Sequence, residues 1–375
     1  MTTRFTPASV RRTAAVVAAL ALFPALAACG ADAPDAGAPE ETGASASDNV
    51  SASDTTVTLV THDSWAVSED VLAAFEEESG LTVRQIAIGD AATLTNQVVL
   101  TRDSPLGDVV FGIDNTFASR AIDAGALQRF MPPNLPTSAE DYVLGEGLLI
   151  PIDRGDVCIN TDIAWFEERG QAEPQTLEDL TQPEFRDQLV VMNPATSSPG
   201  MAFLLATIGE FGEDGYGGRG WEGFWEDLRA NGVRVADSWS TAYFAEFSGA
   251  GEGGTRPIVV SYSSSPAFTL NEDGTESTTR AMLDGCFRQV EFAGILDGAR
   301  NVEGAQALME FLVSPEFQAD IPGQMWVYPI DDTVELPEDW ARFGPLAERV
   351  VEVAPEEIDA NRDEWIDRWT AIVVE

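Results

Sequence analysis

Three short apolar runs open the body of this chain: VTLV at 57–60, VRQIAI at 83–88 and VVFGI at 109–113. Runs this short, bounded by polar turns, predict strands. Between the first two, Val71, Leu72 and Phe75 recur at helical spacing after Ser68 and Glu69, and Gly80 follows. That is an amphipathic helix with a start and a stop signal. The turn Gly89-Asp90 leads to a second helix near Thr93–Thr101. Strands alternating with helices predict a parallel sheet with crossover helices, and in such sheets ligands sit beyond the carboxyl ends of the strands. Here those ends carry His62-Asp63-Ser64-Trp65, Gly89-Asp90 and Asp114-Asn115.

The segment LLIPIDRGDVCINTDIAWF (148–166) reads as a strand leaving this first unit. Beyond it, LVVMNPATSSPGMAFLLATIGEF (189–211) has the form strand, polar loop, helix, with Ser198 expected as N-cap and Pro199 as the first helical residue. The Gly-rich stretch 209–223 matches no phosphate-binding motif and reads as a surface loop. A Trp-rich helix follows (Trp221, Phe224, Trp225, Leu228), then VRVADSWSTAYFAEF and the strand IVVSYSSSPAF. CFRQVEFAGIL (286–296) reads as a strand returning to the first unit. Helices at about Glu303–Leu312 and Pro315–Ile321, the loop GQMWVYPI and a helix ending EWIDRWTAIVV complete the chain. Two crossings, near residues 155 and 290, predict an α/β body of two lobes, each a mainly parallel sheet flanked by helices, with a hinge and a cleft. The expected boundaries are 55–153 for the first lobe, 154–287 for the second, and 288–375 for the return with the C-terminal helices.

The first 54 residues follow another pattern. Arg4, Arg11 and Arg12 precede an apolar run at 13–25, and Leu-Ala-Ala-Cys occupies 26–29. Residues 1–28 therefore read as a lipoprotein export signal that leaves a lipid-modified Cys29. The run is too short to span a bilayer. The Arg11-Arg12 pair leaves Sec and twin-arginine export both open. Residues 29–54, rich in Ala, Gly, Ser, Asp and Glu, bury too little to offset chain entropy and are expected to form a disordered acidic tether. The expected place is the outer face of the cytoplasmic membrane, with the lipid as the only membrane contact and a monomeric body.

Composition narrows the chemistry. The chain has no lysine and a single histidine, His62. Schiff-base lysines, P-loop lysines and His-rich metal sites are thereby excluded, and His62 is the one available base for a serine nucleophile. The net charge of −42 makes nucleic acid and anionic membranes poor partners and attracts cations. The acidity also fits a simple role in solubility. Once Cys29 is lipidated, Cys158 and Cys286 remain, either as one disulfide or as two buried thiols.

Five segments combine aromatics with small polar groups: THDSW (61–65), ATSSPG (195–200), DSWSTAY (237–243), SYSSSPAF (261–268) and MWVYP (325–329). Aromatic faces with carboxylates suit a flat cation. Hydroxyls and amides at a helix N-terminus suit a phosphate or carboxylate. Each element also has a plain structural reading as core, cap or turn. A receptor for a polyamine or ferric ion, and a surface serine hydrolase using His62 with Ser64 or one of Ser263–Ser265, are the alternatives these segments leave open.

In THDSW, DVVFGIDN, NPATSSPG, SWSTAY, SYSSSPA, FLVSPEFQADIP and MWVYP, in that order from about Val57 to Trp369, the chain resembles the thiamine-binding proteins of bacterial ABC importers, within the two-lobed solute receptors. The resemblance implies a type II periplasmic-binding-protein-like fold, no catalysis, no cofactor and no metal, thiamine or its phosphates as ligand, and permease subunits as partners. By position it implies ligand contacts at His62, Asp90, Ala91, Ser197, Ser198, Trp239, Tyr262, Ser263, Ser264, Ser265, Phe268 and Trp326. His62 and Phe268 stand where relatives carry tyrosine. The crossing-strand positions of Cys158 and Cys286 are consistent with a bridge near the hinge.

Overall fold

The structure, a computed structural model, describes residues 55–250 and 253–375. The export signal, Cys29 and the tether to residue 54 lie outside the described residues. The strands are β1 (Thr56–Thr61), β2 (Thr82–Ala87), β3 (Val109–Asp114), β4 (Leu127–Gln128), β5 (Ile150–Asp162), β6 (Leu189–Met192), β7 (Arg234–Ala236), β8 (Ile258–Tyr262), β9 (Thr279–Leu296) and β10 (Tyr328–Pro329). Their order is β2-β1-β3-β9-β5-β8-β6-β7, with β4 added to β9 and β10 to β5. Parallel pairing joins β1 to β2 and β3 in one half, and β6 to β7 and β8 in the other. The halves meet through β5 and β9, which run antiparallel to each other over most of their length. This is the α/β architecture expected from the alternation of strands and helices.

Side-chain alternation builds the core of the first half. Val57, Leu59, Val109 and Phe111 pack on one face with Leu308, Leu312 and Phe317. Val60, Val110 and Ile113 face the other way, against Leu94 and Val98. Phe111 and Ile113, two residues apart, would share a face in a regular strand. A register shift between them, at Gly112 with φ of +102°, turns Ile113 over. The second half packs Val190, Met192, Val259 and Val260 against Phe203, Leu204, Trp221 and Trp225.

Several element ends differ from expectation. The N-cap of the helix Ser198–Phe211 is Ser197 rather than Ser198; its backbone is extended and its hydroxyl accepts from the Gly200 amide at 3.4 Å. The helix Ala91–Leu100 starts before Thr93 because Asp90 caps it. The Gly-rich stretch is only partly a loop, since the helix Ser198–Phe211 runs into it and the helix Gly220–Ala230 begins inside it. The C-terminal helix starts at Pro355, whose missing N–H costs nothing in a first turn, and extends to Val373.

That last helix touches both halves. Its Trp369 is fully buried and meets Trp225 edge to face at 5.5 Å. Arg362 donates to the Thr116 carbonyl and the Ser119 hydroxyl in the first half. Cys158 and Cys286 form a disulfide between β5 and β9, beside a register irregularity between Val157 and Ile159. Trp369→Ala is expected to cost about 3–5 kcal/mol by opening a cavity under the helix. Urea unfolding followed by tryptophan fluorescence and circular dichroism checks this, and a loss below about 1 kcal/mol would contradict the packing role.

Candidate functional site

Five strand or helix ends and the 325–327 loop converge on one cavity between the halves. Its wall includes His62 after β1, Asp90 before the helix Ala91–Leu100, Ser198 and Pro199 at a helix start, Trp239, Tyr262 at the end of β8, and Met325, Trp326 and Val327. Glu291, from the middle of β9, completes it.

Two glycines make room for the rings. A Cβ on Gly112 would lie 2.1 Å from His62 Cδ2, and one on Gly155 would lie 2.7 Å from Tyr262 Cδ1. His62 is held on both sides: its Nδ1 accepts from the Ser64 amide at 3.1 Å, and its Nε2 faces Glu291 Oε1 at 3.4 Å. The amide fixes the proton of the neutral ring on Nε2, toward Glu291. Burial alone would lower the His62 pKa, but the carboxylates of Glu291, Asp90 and Asp63 outweigh it and leave the pKa raised.

Asp90 links the halves. One oxygen accepts from the Ala91 amide at 2.7 Å, capping its helix, and the other accepts from the Trp239 amide at 2.9 Å. Thr93 adds a bond from its amide to the Thr196 carbonyl, and Ser264 donates to the Trp326 carbonyl at 2.6 Å. Trp239 is fixed by its Nε1 donating to Ser261 at 3.0 Å and by stacking on Tyr243 at 4.9 Å. Tyr262 stands edge-on to Trp239 at 6.3 Å and donates to Gln289 at 3.3 Å. Gln289 donates in turn to Ser198 and to Glu291, both at 3.3 Å. Trp326 holds a φ of +61°, a strained conformation for a tryptophan, which turns its ring toward Phe268 at 4.1 Å.

Of the twelve residues expected from the sequence, His62, Asp90, Ser198, Trp239, Tyr262, Ser265 and Trp326 line the cavity. Phe268 lies at an adjoining pocket with Phe244, Trp239 and Trp326. Ala91, Ser197, Ser263 and Ser264 stand outside the lining: Ser197 caps a helix, Ser264 is spent on Trp326, and all four are buried. Sequence reasoning missed Glu291 and Gln289, and the buried Asp153 beside them. The available signal was a pair of polar residues two apart, Gln289 and Glu291, alternating with Val290 and Phe292 in a crossing strand.

No serine hydroxyl hydrogen-bonds His62 among the described residues; its ring nitrogens meet an amide and a carboxylate. The nucleophile–base contact of a serine hydrolase is therefore missing. The described residues also contain no group of three or more His, Cys, Asp or Glu arranged to hold a metal ion.

A model of the bacterial extracellular solute-binding protein family matches residues 104–343. The chain belongs to that family. It is an extracellular solute-binding protein and not an enzyme. It is 28% identical over 324 residues to the thiamine-binding periplasmic protein of Escherichia coli K12, covering 84% of this chain and 93% of that protein. The protein of the same description from Brucella suis is 27% identical over 326 residues, covering 84% and 91%. Among solved structures, a periplasmic thiamin binding protein superposes with a TM-score of 0.72 at 26% identity, covering 85% of this chain and 96% of that one. Iron-bound HitA from Pseudomonas aeruginosa, at 20% identity and a TM-score of 0.65, shares the fold and covers 85% and 99%. No helix among the described residues is long and apolar enough to cross a membrane.

Two buried carboxyls in the first half of the fold, Asp90 in the cavity wall and Asp114 at the end of β3, have displaced pKa values. Burial raises Asp114 to about 7 against the stabilising bonds from Thr116, and burial raises Asp90 as well. A carboxyl whose pKa is higher folded than unfolded holds its proton more tightly in the folded state. Its stabilising contribution is therefore present below the ordinary value of 3.8 and is lost as pH rises through about 7. Melting temperatures of the ligand-free protein between pH 4 and 7.5 should accordingly fall less steeply with pH in Asp114→Asn than in the parent. Equal slopes would show that Asp114 ionises as freely folded as unfolded.

Proposed function

We propose that this protein captures thiamine, or a thiamine phosphate, in the cleft and delivers it to the permease of an ABC importer. The observation that carries the reading is the meeting of aromatic faces and buried carboxylates in one cavity: Trp239, Tyr262, Trp326 and His62 beside Asp90 and Glu291. Thiamine joins an aminopyrimidine ring to a cationic thiazolium, and both parts suit flat aromatic neighbours with negative charge nearby. The similarity to proteins described as thiamine-binding, across 84% of the chain, supports the same reading.

In this proposal Trp239, Tyr262, Trp326 and His62 stack the rings, and Asp90 offsets the cation while joining the halves. Ser198 and Ser265 meet the hydroxyethyl or phosphate end, with Ser197, Ser263 and Ser264 shaping the turns that present them. Ala91 gives the helix start its close approach, and Phe268 covers the mouth. Ligand contacts from both halves favour the closed form, which is the differential affinity that a closure requires. Cys29 carries the lipid that keeps a monomeric body near its permease.

Titration calorimetry on residues 55–375 should show saturable thiamine binding. Trp239→Ala should weaken it at least about 30-fold, the effect of losing a central aromatic anchor, and Trp239→Phe should recover part of the loss. No heat with thiamine or its phosphates, while a polyamine or ferric ion binds, would overturn the proposal. For the anchor, Cys29→Ala should release the mature protein from membranes into the soluble fraction.

A further inference from the structure

Asp153 and Glu291 are directly opposed residues of the antiparallel pair β5 and β9. Like charges placed so across a sheet repel and destabilise the pairing. Asp153 is 1% exposed, and neither of its carboxyl oxygens has a hydrogen-bond partner among the described residues. Glu291 faces the cavity directly, with Oε1 3.4 Å from His62 Nε2 and 3.3 Å from Gln289 Nε2. Among the described residues, no lysine or arginine lines the cavity to neutralise the pair. The other ionisable groups bearing on it come from every neighbouring element: His62 and Asp63 after β1, Asp90 at its helix start, Asp114 at the end of β3, and Tyr262 on β8.

We propose that Asp153 and Glu291 share one proton while the cleft is empty, and that a bound organic cation takes that proton's place. As the cation enters, the carboxyl O–H bond breaks heterolytically, its electron pair stays on the carboxylate, the proton passes to solvent, and the net charge of site plus ligand stays constant. Glu291 is then the group that reads the ligand's charge, and Asp153 is a positioning residue that acts through it. Burial, and the carboxylate of Glu291 next, push the Asp153 pKa well above the ordinary range, in the direction this exchange needs. A neutral ligand of the same shape would leave the proton in place and gain nothing from the pair. Because protons and ligand compete, affinity for the cation falls on acidification, by up to about tenfold per pH unit for one proton fully exchanged.

This inference rests on the thiamine reading and uses thiamine as its probe. Calorimetry on residues 55–375 at pH 6.5, in two buffers of different ionisation enthalpy, measures the protons released on binding. The expected result is a net release by the parent protein, lost in Asp153→Asn and retained in His62→Gln. Glu291→Gln should also end the release while weakening affinity, and it serves as the second variant should Asp153→Asn fail to give a cooperative melt. Binding without proton release, or release that persists in Asp153→Asn and Glu291→Gln, overturns the inference and leaves the thiamine reading standing. Release that vanishes only in His62→Gln assigns the proton to the imidazole and likewise overturns it. No thiamine binding by the parent in either buffer overturns the thiamine reading and this inference with it.

Discussion

The cleft depends on two strands that each belong to both halves of the sheet. β5 and β9 pair from Ile150 opposite Ala293 to Asp162 opposite Thr279, with two register shifts on the way, and the parallel strands of each half hang from their outer edges. The pairing brings Asp153, Gln289 and Glu291 to the place where the strand ends of both halves converge. Without it, His62 and Asp90 on one side would have no defined relation to Trp239 and Tyr262 on the other. The main-chain ladder therefore sets the geometry, and the side-chain bonds across the cleft refine it.

Around that ladder the polar groups are arranged in a connected chain rather than as isolated contacts. Tyr262 donates to Gln289, Gln289 donates to Ser198 and Glu291, and Glu291 faces His62, which is held by the Ser64 amide. Such a network is costly where any member lacks a partner and rigid where all are satisfied. Next to Glu291, the Asp153 oxygens and His62 Nε2 have no hydrogen-bond partner among the described residues. A polar atom left unpaired deep in a fold calls for an explanation, a functional role or a bound water or ion among them.

Much of this was legible in the sequence. Short apolar runs separated by amphipathic stretches are a direct record of strands buried on both faces between helices, so the α/β class followed from periodicity. Polar and aromatic residues at the ends of those runs marked His62, Asp90, Trp239, Tyr262 and Trp326, because a strand end is where a side chain can be buried and still meet a cavity. Helix ends were less legible. Ser197 and Ser198 are equally good caps by type, and the choice between them is made by the backbone ahead of Pro199. Glu291 and Asp153 were not legible at all as a pair, since they lie 138 positions apart and only the antiparallel register makes them neighbours. A carboxylate inside an apolar strand reads locally as a solvent-facing position, and only the crossing geometry turns that face inward.

The disulfide between Cys158 and Cys286 has a mechanical meaning. It ties β5 to β9 at the point where their pairing skips from Phe287 to Met282. A ladder broken by such a skip offers a neighbouring register, and a slip into it would turn the following side chains to the opposite face. A covalent tie removes that freedom and leaves bending and twisting untouched. Any motion of one half against the other must then proceed as rotation of a two-stranded ribbon of constant length. In the proposed closure the two walls of the cleft would part and return while the residues that face each other across it stay the same.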